Sequence, residues 1–257
     1  MDIRADAACY YDAGPAPFDG KDILFYESIL APSSPRVLEL GCGTGRVLAP
    51  LANSCAFILG VDSSQAMLEI CRRRLNAEGV PPERAVVQHG DIARLSLGQT
   101  FDLITAPFRV MQNLETDQQI DGLFDTIRDH LAPGGSAILN AFRPNSDRAA
   151  LLERWAGQRE ESVSWEIPYQ QGKLVRTEKI VRVDPQRMIV YPSLIYRYYE
   201  GDDLKDEAVL NIAMRAYYPD EFAALITRHG FKIVNRWGGY SGEPYGEGPE
   251  LVIQFSA

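Results

Sequence analysis

The sequence predicts an α/β fold in which helices cover both faces of a mostly parallel sheet, and three observations support this prediction. Between residues 36 and 142, apolar segments of strand length alternate with segments of helix length. Such alternation produces parallel strands, because right-handed crossovers place the helices over the sheet. From residue 162 to 217, β-branched and aromatic segments are separated only by turns, which predicts antiparallel strands. The 257 residues, 46% of them hydrophobic, suit one domain with an addition.

The α/β part is predicted to contain five strands and three helices. The strands are expected at residues 37–40, 56–61, 85–87, 101–105 and 136–142, where short apolar runs occur. The helices are expected at residues 47–52, 64–77 and 120–131, and the last of them should end before Pro133-Gly134-Gly135. An apolar pattern at near-helical spacing over residues 22–30 predicts a further helix ahead of the first strand.

The remaining elements divide the chain into four segments. Antiparallel strands are expected at residues 162–169, 173–183, 187–199 and 207–217, followed by a helix at 219–229 and strands at 231–237 and 251–255. We therefore expect an N-terminal lid (1–35), an α/β core (36–145), an antiparallel β insertion (146–217) and a C-terminal helix with two strands that complete the core (218–257). The insertion is expected to cover the site, to form a dimer contact, or both.

Charge and composition argue against several classes of protein. The formal net charge is −9 and the sequence has no basic block, so nucleic acid is not an expected partner. Residues 1–6 show no signal-peptide pattern, and no apolar run is long enough to span a bilayer, so no membrane partner is expected. The four cysteines show no metal-ligand spacing. We expect a cytoplasmic protein with reduced cysteines and no metal.

A glycine-rich turn joins the first strand to the following helix. It reads Glu39-Leu40-Gly41-Cys42-Gly43-Thr44-Gly45. Glycines allow a tight turn and close approach of a ligand, and the helix N-terminus adds free N–H donors. Arg46 stands where the dinucleotide fingerprint G-x-G-x-x-G has its last glycine. Glu39 would repel a pyrophosphate but suits a ligand with an ammonium and a sulfonium.

Two more carboxylates follow the next two strands. Asp62 ends the second strand, where a carboxylate can bind the two hydroxyls of a ribose. Asp91 follows the third strand and, with Ile92 beside it, suits the edge of an adenine. The alternative is that each aspartate caps a helix or a turn.

These segments together resemble a known family. Residues 37–52, 60–68, 90–92 and 101–114 resemble the successive motifs of class I, Rossmann-like methyltransferases that use S-adenosylmethionine (SAM). The closing helix and strand pair resemble that family's reversed final strand. The resemblance covers residues 10–142 and 219–255. It implies a seven-stranded, mostly parallel sheet with a reversed last strand, and methyl transfer from SAM to N or O of a small-molecule metabolite, with S-adenosylhomocysteine as product.

The resemblance also implies which residues bind the cofactor. The glycine turn would meet the methionine part and Asp62 the ribose. Ser63 and Met67 would border the adenine, and Asp91 with Ile92 would contact its amino edge. Arg46 would bind the methionine carboxylate, or else be a solubilising residue at a helix start. The full set is Tyr11, Glu39, Gly41, Cys42, Gly43, Arg46, Asp62, Ser63, Met67, Gly90, Asp91, Ile92 and Ala106.

The acceptor side is less determined by the sequence. Candidate substrate residues are Tyr26, Arg109, Asn113, Arg143, Trp165, Tyr169, Arg197 and Arg215. Several arginines near the entrance of the site would favour a substrate that carries a carboxylate or a phosphate. No histidine falls where the methyl acceptor should bind. Because a hydroxyl acceptor usually needs a general base, this slightly favours a nitrogen acceptor. No catalytic residue is assigned.

Two alternatives to this function remain open from the sequence. One is an NAD(P)-dependent oxidoreductase on a related fold, against which the glycine spacing and Gly90-Asp91 both argue. The other is a non-catalytic SAM-binding protein, which no sequence feature excludes. The assembly state is expected to be a monomer or a homodimer.

Overall fold

A computed structural model describes residues 6–30 and 34–257. Residues 1–5 of the predicted lid, where the signal-peptide expectation falls, and residues 31–33 lie outside the described part. The α/β half contains α1 (Lys21–Leu30), β1 (Arg36–Leu40), α2 (Leu48–Leu51), β2 (Phe57–Asp62), α3 (Gln65–Ala77), β3 (Ala85–His89), β4 (Phe101–Ala106), α4 (Asp117–His130) and β5 (Leu131–Phe142). Each strand predicted in this half is present, within a few residues of its expected bounds.

The second half of the chain continues with one helix, five strands, another helix and two strands. These elements are α5 (Arg148–Gly157), β6 (Ser162–Tyr169), β7 (Gly172–Asp184), β8 (Ile189–Glu200), β9 (Asp203–Asn211), β10 (Met214–Arg215), α6 (Pro219–Arg228), β11 (Lys232–Trp237) and β12 (Glu250–Ser256). None of the described helices is long and apolar enough to cross a membrane.

Seven strands form the first sheet, in the order β11-β12-β5-β4-β1-β2-β3. β1 pairs in parallel with both β2 and β4, and it places Glu39 opposite Gly60 on one side and Thr105 on the other. β12 runs antiparallel to both β5 and β11. The predicted mostly parallel sheet with a reversed last strand is confirmed.

Helices cover both faces of this sheet because neighbouring strand residues point in opposite directions. On β1, Leu38 belongs to the apolar cluster that contains Phe124 of α4 and Phe222 of α6. Val37 belongs to the cluster on the other face, which contains Leu68 of α3. Both clusters are fully buried at these positions, so the centre of the sheet is held rigidly between two apolar layers.

Two helix starts are fixed by side-chain caps. The hydroxyl of Ser64 accepts a hydrogen bond from the backbone N–H of Met67 at 3.2 Å, so α3 begins where the sequence predicted. Thr116 and Gln119 form a capping box at the start of α4. α4 therefore begins three residues before the predicted position 120.

Strands β6 to β10 form a second, antiparallel sheet in which β7 and β8 are central. The predicted strand at 207–217 is instead two strands. β9 begins earlier, at Asp203, and β10 is separate, although both pair with β8.

Helix α5 was not predicted. The Asp147 side chain caps it by accepting from the N–H of Ala150 at 2.9 Å. Its buried residues Leu151 and Trp155 belong to an apolar cluster with Ile180 of β7, so packing against the second sheet stabilises the helix.

The N-terminal segment, residues 6–20, contacts both the second sheet and helix α3 of the α/β core. The hydroxyl of Tyr10 donates to Asp206 on β9 at 2.5 Å. Two residues later, Asp12 accepts from Arg74 of α3 at 2.5 Å. These bonds hold the segment across the space between the second sheet and the α/β core.

Candidate active site

One large cavity lies at the carboxyl ends of β1 and β4. Its volume is about 610 Å³, within the usual range for a small-molecule site. Its walls include the glycine turn, the segment after β4 (residues 107–113), the N-terminal segment, and the face of the second sheet that carries Trp165 and Tyr196, which we call the inner face. The predicted residues that line it are Tyr11, Glu39, Gly41, Cys42, Gly43, Arg46, Met67, Arg109, Asn113 and Trp165.

The glycine turn is folded tightly against the end of β2. The backbone N–H groups of Gly41 and Cys42 both donate to the carbonyl of Val61, at 2.7 and 3.1 Å. Gly41 has a φ of +72°, and a Cβ there would lie 2.5 Å from a methyl carbon of Val110, so only glycine fits.

Gly43 differs from Gly41 in what surrounds it. Its φ is +53°, and a Cβ there would meet no described atom within 4 Å. Because Gly43 lines the cavity, the missing side chain leaves space for a ligand to approach the backbone.

Glu39 places a buried carboxyl in the cavity wall. It is only 1% exposed, and within the described residues its Oε2 has no hydrogen-bond partner. Burial is the main reason that the pKa of this carboxyl is raised well above its ordinary value, and the neighbouring Arg46 cation opposes the rise. An unpartnered buried acceptor of this kind fits a ligand cation such as the ammonium of SAM.

Asp62 lies beside the glycine turn, as predicted. Its Oδ2 accepts from the N–H of Gly43 at 2.9 Å and its Oδ1 from the N–H of Ser64 at 2.8 Å. The carboxylate therefore joins the turn to the start of α3. Both oxygens already accept bonds, so a ribose would share or replace the bond to Gly43.

We expect Asp62→Ala to weaken SAM binding by about 1–3 kcal/mol, the scale of hydrogen bonds to a charged group. The variant removes the acceptor for two backbone N–H groups as well as any bond to the ribose. Isothermal titration calorimetry measures the effect, with Asp129→Ala, an exposed aspartate on α4, as the control. Unchanged affinity in Asp62→Ala would show that Asp62 has no part in cofactor binding.

Of the residues predicted to contact the adenine, Met67 lines the cavity, whereas Ser63, Asp91 and Ile92 do not. The N–H of Gly90 donates to the carbonyl of Asp62, the residue predicted to bind the ribose, at 3.0 Å. Asp91 is exposed, and its Oδ1 accepts from the N–H of Ala93 at 2.9 Å, as in the turn-capping alternative. The other predicted cofactor residues that do not line the cavity are Asp62, Gly90 and Ala106.

Arg46 has a partner that the sequence did not reveal. Its guanidinium donates twice to Asp22 of α1, at 2.5 and 3.2 Å, and lies 5.2 Å from the ring centre of Phe108. Asp22 is fully buried, so the pair has a structural role in fixing α1 to the glycine turn. Neither prediction for Arg46 included this pair; because Arg46 lines the cavity, its bond to the methionine carboxylate stays a prediction.

The predicted cluster of arginines around the cavity mouth does not form. Arg143 donates to the carbonyls of Gly248 and Glu247, and Arg215 pairs with Asp117. Neither lines the cavity. Arg109 lines it, but its guanidinium pairs with the buried Glu250.

Three further substrate predictions lie elsewhere. Tyr26 is fully buried against Phe25. Tyr169 packs on Tyr10, and Arg197 pairs with Glu161 on the outer face of the second sheet. Long-range packing and ion pairs account for these residues, and neither is visible in the local sequence.

Of the second-sheet residues that line the cavity, only Trp165 was predicted from the sequence, and those that were not predicted include Arg176, Glu178 and Tyr196. Arg176 and Glu178 lie two positions apart on β7 and share its inner face. The alternation of residues along β7 was available in the sequence, but it does not tell which face would cover a site.

The fold and the cavity define a class of protein. A seven-stranded sheet with a reversed last strand, a glycine turn after β1 and a carboxylate after β2 is the arrangement of class I methyltransferases, as the sequence resemblance implied.

Comparison with known proteins gives the same result. Residues 37–135 match a protein family described as "Methyltransferase domain". The CcbJ methyltransferase from Streptomyces caelestis has a similar structure, with a TM-score of 0.77 and 26% sequence identity over 100% of this chain and 98% of that one. The matched domain and the similar fold are those of methyltransferases, in agreement with the resemblance to the class I SAM-dependent family. They argue against the oxidoreductase alternative.

Curated relatives align with part of the chain. The dTDP-3-amino-3,6-dideoxy-alpha-D-glucopyranose N,N-dimethyltransferase of Streptomyces fradiae is 32% identical over 112 residues, 44% of this chain and 41% of the relative. The ubiquinone biosynthesis O-methyltransferase of Rhizobium etli is 30% identical over 148 residues, 56% of each. The chain thus aligns with between two fifths and three fifths of the length of these relatives.

Proposed function

We propose that the chain transfers a methyl group from SAM to an amine nitrogen of a small molecule held under the second sheet. The observation that carries this proposal is the cavity itself. It joins the unpartnered carboxyl of Glu39 and the open backbone of Gly43 to the inner face of the second sheet. One continuous space can therefore hold donor and acceptor together.

The residues around the cavity suit a reaction driven by proximity. SAM supplies an electrophilic methyl group on a sulfonium, and the acceptor's lone pair forms the new bond as the bond from carbon to sulfur breaks. Glu39 offers negative charge to the cationic cofactor, and apolar residues of the second sheet, such as Leu194, keep water out. Holding the two reactants in line is itself a large part of catalysis.

The choice of nitrogen over oxygen has two supports. Among the described residues that line the cavity there is no histidine, and a neutral amine needs no base before it attacks. The name of the S. fradiae relative describes methylation of an amine, whereas that of the R. etli relative describes O-methylation. The amine is the acceptor that the cavity can serve without an assigned base.

The test has two stages. Calorimetric titration with SAM should show saturable binding, whereas NAD should not bind. Incubation with SAM and a panel of amino sugars and matched hydroxyl compounds should then yield S-adenosylhomocysteine and an N-methylated product, both identified by mass spectrometry. Methylation of hydroxyl compounds alone would contradict the nitrogen assignment, and SAM binding without turnover across the panel would favour the non-catalytic alternative.

A cytoplasmic location, and a monomer or homodimer, remain our predictions. Light scattering after size-exclusion chromatography measures the assembly state directly.

A further inference from the structure

A charged pair stands on the inner face of the second sheet, in a mostly apolar part of the cavity wall. Nη2 of Arg176 lies 3.2 Å from Oε2 of Glu178. The apolar cavity residues on this sheet include Ile180, Val190, Pro192, Leu194, Leu210 and Ile212, and the polar residues Ser162 and Lys179 also line the cavity. The pair is only partly buried, since the side chain of Arg176 is 26% exposed and that of Glu178 is 45% exposed. An ion pair of this kind contributes about 1 kcal/mol at most, so stability alone does not explain it.

The guanidinium of Arg176 has one donor that protein atoms leave unused. Its Nε is buried, and no hydrogen-bond acceptor reaches it from the described residues. The nearby phenol of Tyr196 is 2% exposed, and burial raises the pKa of Tyr196 to about 12 although the Arg176 cation opposes the rise. Tyr196 therefore stays a neutral phenol and gives Arg176 no negative charge.

Trp165 provides a flat apolar surface beside this pair. The Arg176 guanidinium carbon lies 5.7 Å from the centre of the Trp165 ring, and both residues line the cavity. The ring is backed by the N-terminal segment, because a Cβ on Gly14 would lie 2.7 Å from Trp165 Cζ2. The indole is thus held in place between the segment and the sheet.

These contacts together specify a ligand that both donates and accepts hydrogen bonds. Glu178 already balances the charge of Arg176, so an anion on Arg176 would meet a carboxylate close by. A hydroxyl can accept from Arg176 Nε and donate to a Glu178 oxygen at the same time. The apolar face of a saturated ring fits the indole of Trp165.

We infer that Arg176, Glu178 and Trp165 form a subsite for a hydroxylated ring, the sugar-like part of the methyl acceptor. This inference rests on the proposed function, since it names the substrate class of the same cavity. Arg176 and Glu178 bind the ring hydroxyls and so determine specificity, while the amine of the same ring extends towards the glycine turn.

The test pairs changes in the protein with changes in the substrate. The probes are amino-deoxyhexosides with the amine at different ring positions, each compared with its analogue that lacks the neighbouring hydroxyl. For the wild-type enzyme we expect kcat/KM to fall about 10- to 100-fold when the contacted hydroxyl is removed, the range for one hydrogen bond to a charged group. Arg176→Lys keeps a cation beside Glu178 but lacks the Nε donor, and Glu178→Gln removes the charged acceptor. Both should lose most of this discrimination.

Controls separate the subsite from the rest of the enzyme. Arg182→Lys changes an exposed arginine of the same strand that does not line the cavity, and it should keep wild-type discrimination. Both subsite variants should bind SAM as the wild type does, as measured by calorimetry. Wild-type discrimination in Arg176→Lys and Glu178→Gln would overturn the inference. Methylation of other amines but of no amino sugar would also overturn the inference, while leaving the methyltransferase proposal intact. Absence of SAM binding by the wild type would instead overturn the proposed function.

Discussion

Gly43→Leu is expected to reduce SAM affinity by at least about 100-fold, which corresponds to about 2.7 kcal/mol. A Cβ at Gly43 meets no atom of the described residues within 4 Å, so the new side chain would extend into the cavity and occupy the space of the ligand. Leucine at a φ of +53° also costs about 1–2 kcal/mol of folding free energy. Calorimetric titration with SAM and thermal denaturation measure the two effects separately.

Gly201→Leu is the matched control for backbone strain. Gly201, in the turn between β8 and β9, has a φ of +62°, and a Cβ there would also meet nothing within 4 Å. The two variants should lose similar stability, but only Gly43→Leu should lose SAM affinity. Equal SAM affinity in both variants would mean that the glycine turn does not contact the cofactor.

Glu39→Gln is expected to weaken SAM binding by about 10- to 100-fold, since it replaces a carboxylate that faces a ligand cation with a neutral amide. The unpartnered Oε2 in the cavity wall is the reason for this expectation. Calorimetry measures the change. The control is Glu69→Gln, which alters an exposed glutamate of α3 outside the cavity and should bind SAM as the wild type does.

Glu39 should make the folding stability and the SAM affinity respond to pH in opposite directions. Because the pKa of Glu39 is raised in the folded protein, the folded state holds its proton more tightly than the unfolded chain does. Its contribution to stability is then fully present below the unfolded pKa and is lost as pH rises through the folded pKa. SAM favours the carboxylate, so its affinity should rise over the same window, with release of a proton.

Denaturation and titration across this pH window test the linkage. The wild type should become less stable and bind SAM more tightly as pH rises, and Glu39→Gln should lose the part of both trends that Glu39 contributes. A variant with both trends unchanged would show that Glu39 does not titrate in the way described.

Much of the fold could be predicted because its signals are local. The apolar runs of β1 to β5 and the turns between β6, β7 and β8 are visible in the sequence. Helix α5 was missed because its stability comes from packing of Leu151 and Trp155 on the second sheet. The bounds of β9 and β10 depend on their pairing with β8, which the sequence of either strand does not show.

The cofactor half of the cavity was predictable for a similar reason, and the acceptor half was not. Glu39 and Gly43 lie within one short motif, and that motif fixes their position at the end of a strand. Arg109 and Glu250, by contrast, are 141 residues apart, so their ion pair is not readable from sequence. The role of Arg176 depends on which face of the second sheet turns towards the core.

The most direct test of the whole account is a crystal structure of the protein with S-adenosylhomocysteine. We expect the ligand's ammonium to lie against Glu39 and the glycine turn, and its sulfur to point to the space beneath Trp165. A ligand bound outside this cavity, or a Glu39 carboxyl turned away from the ammonium, would contradict it.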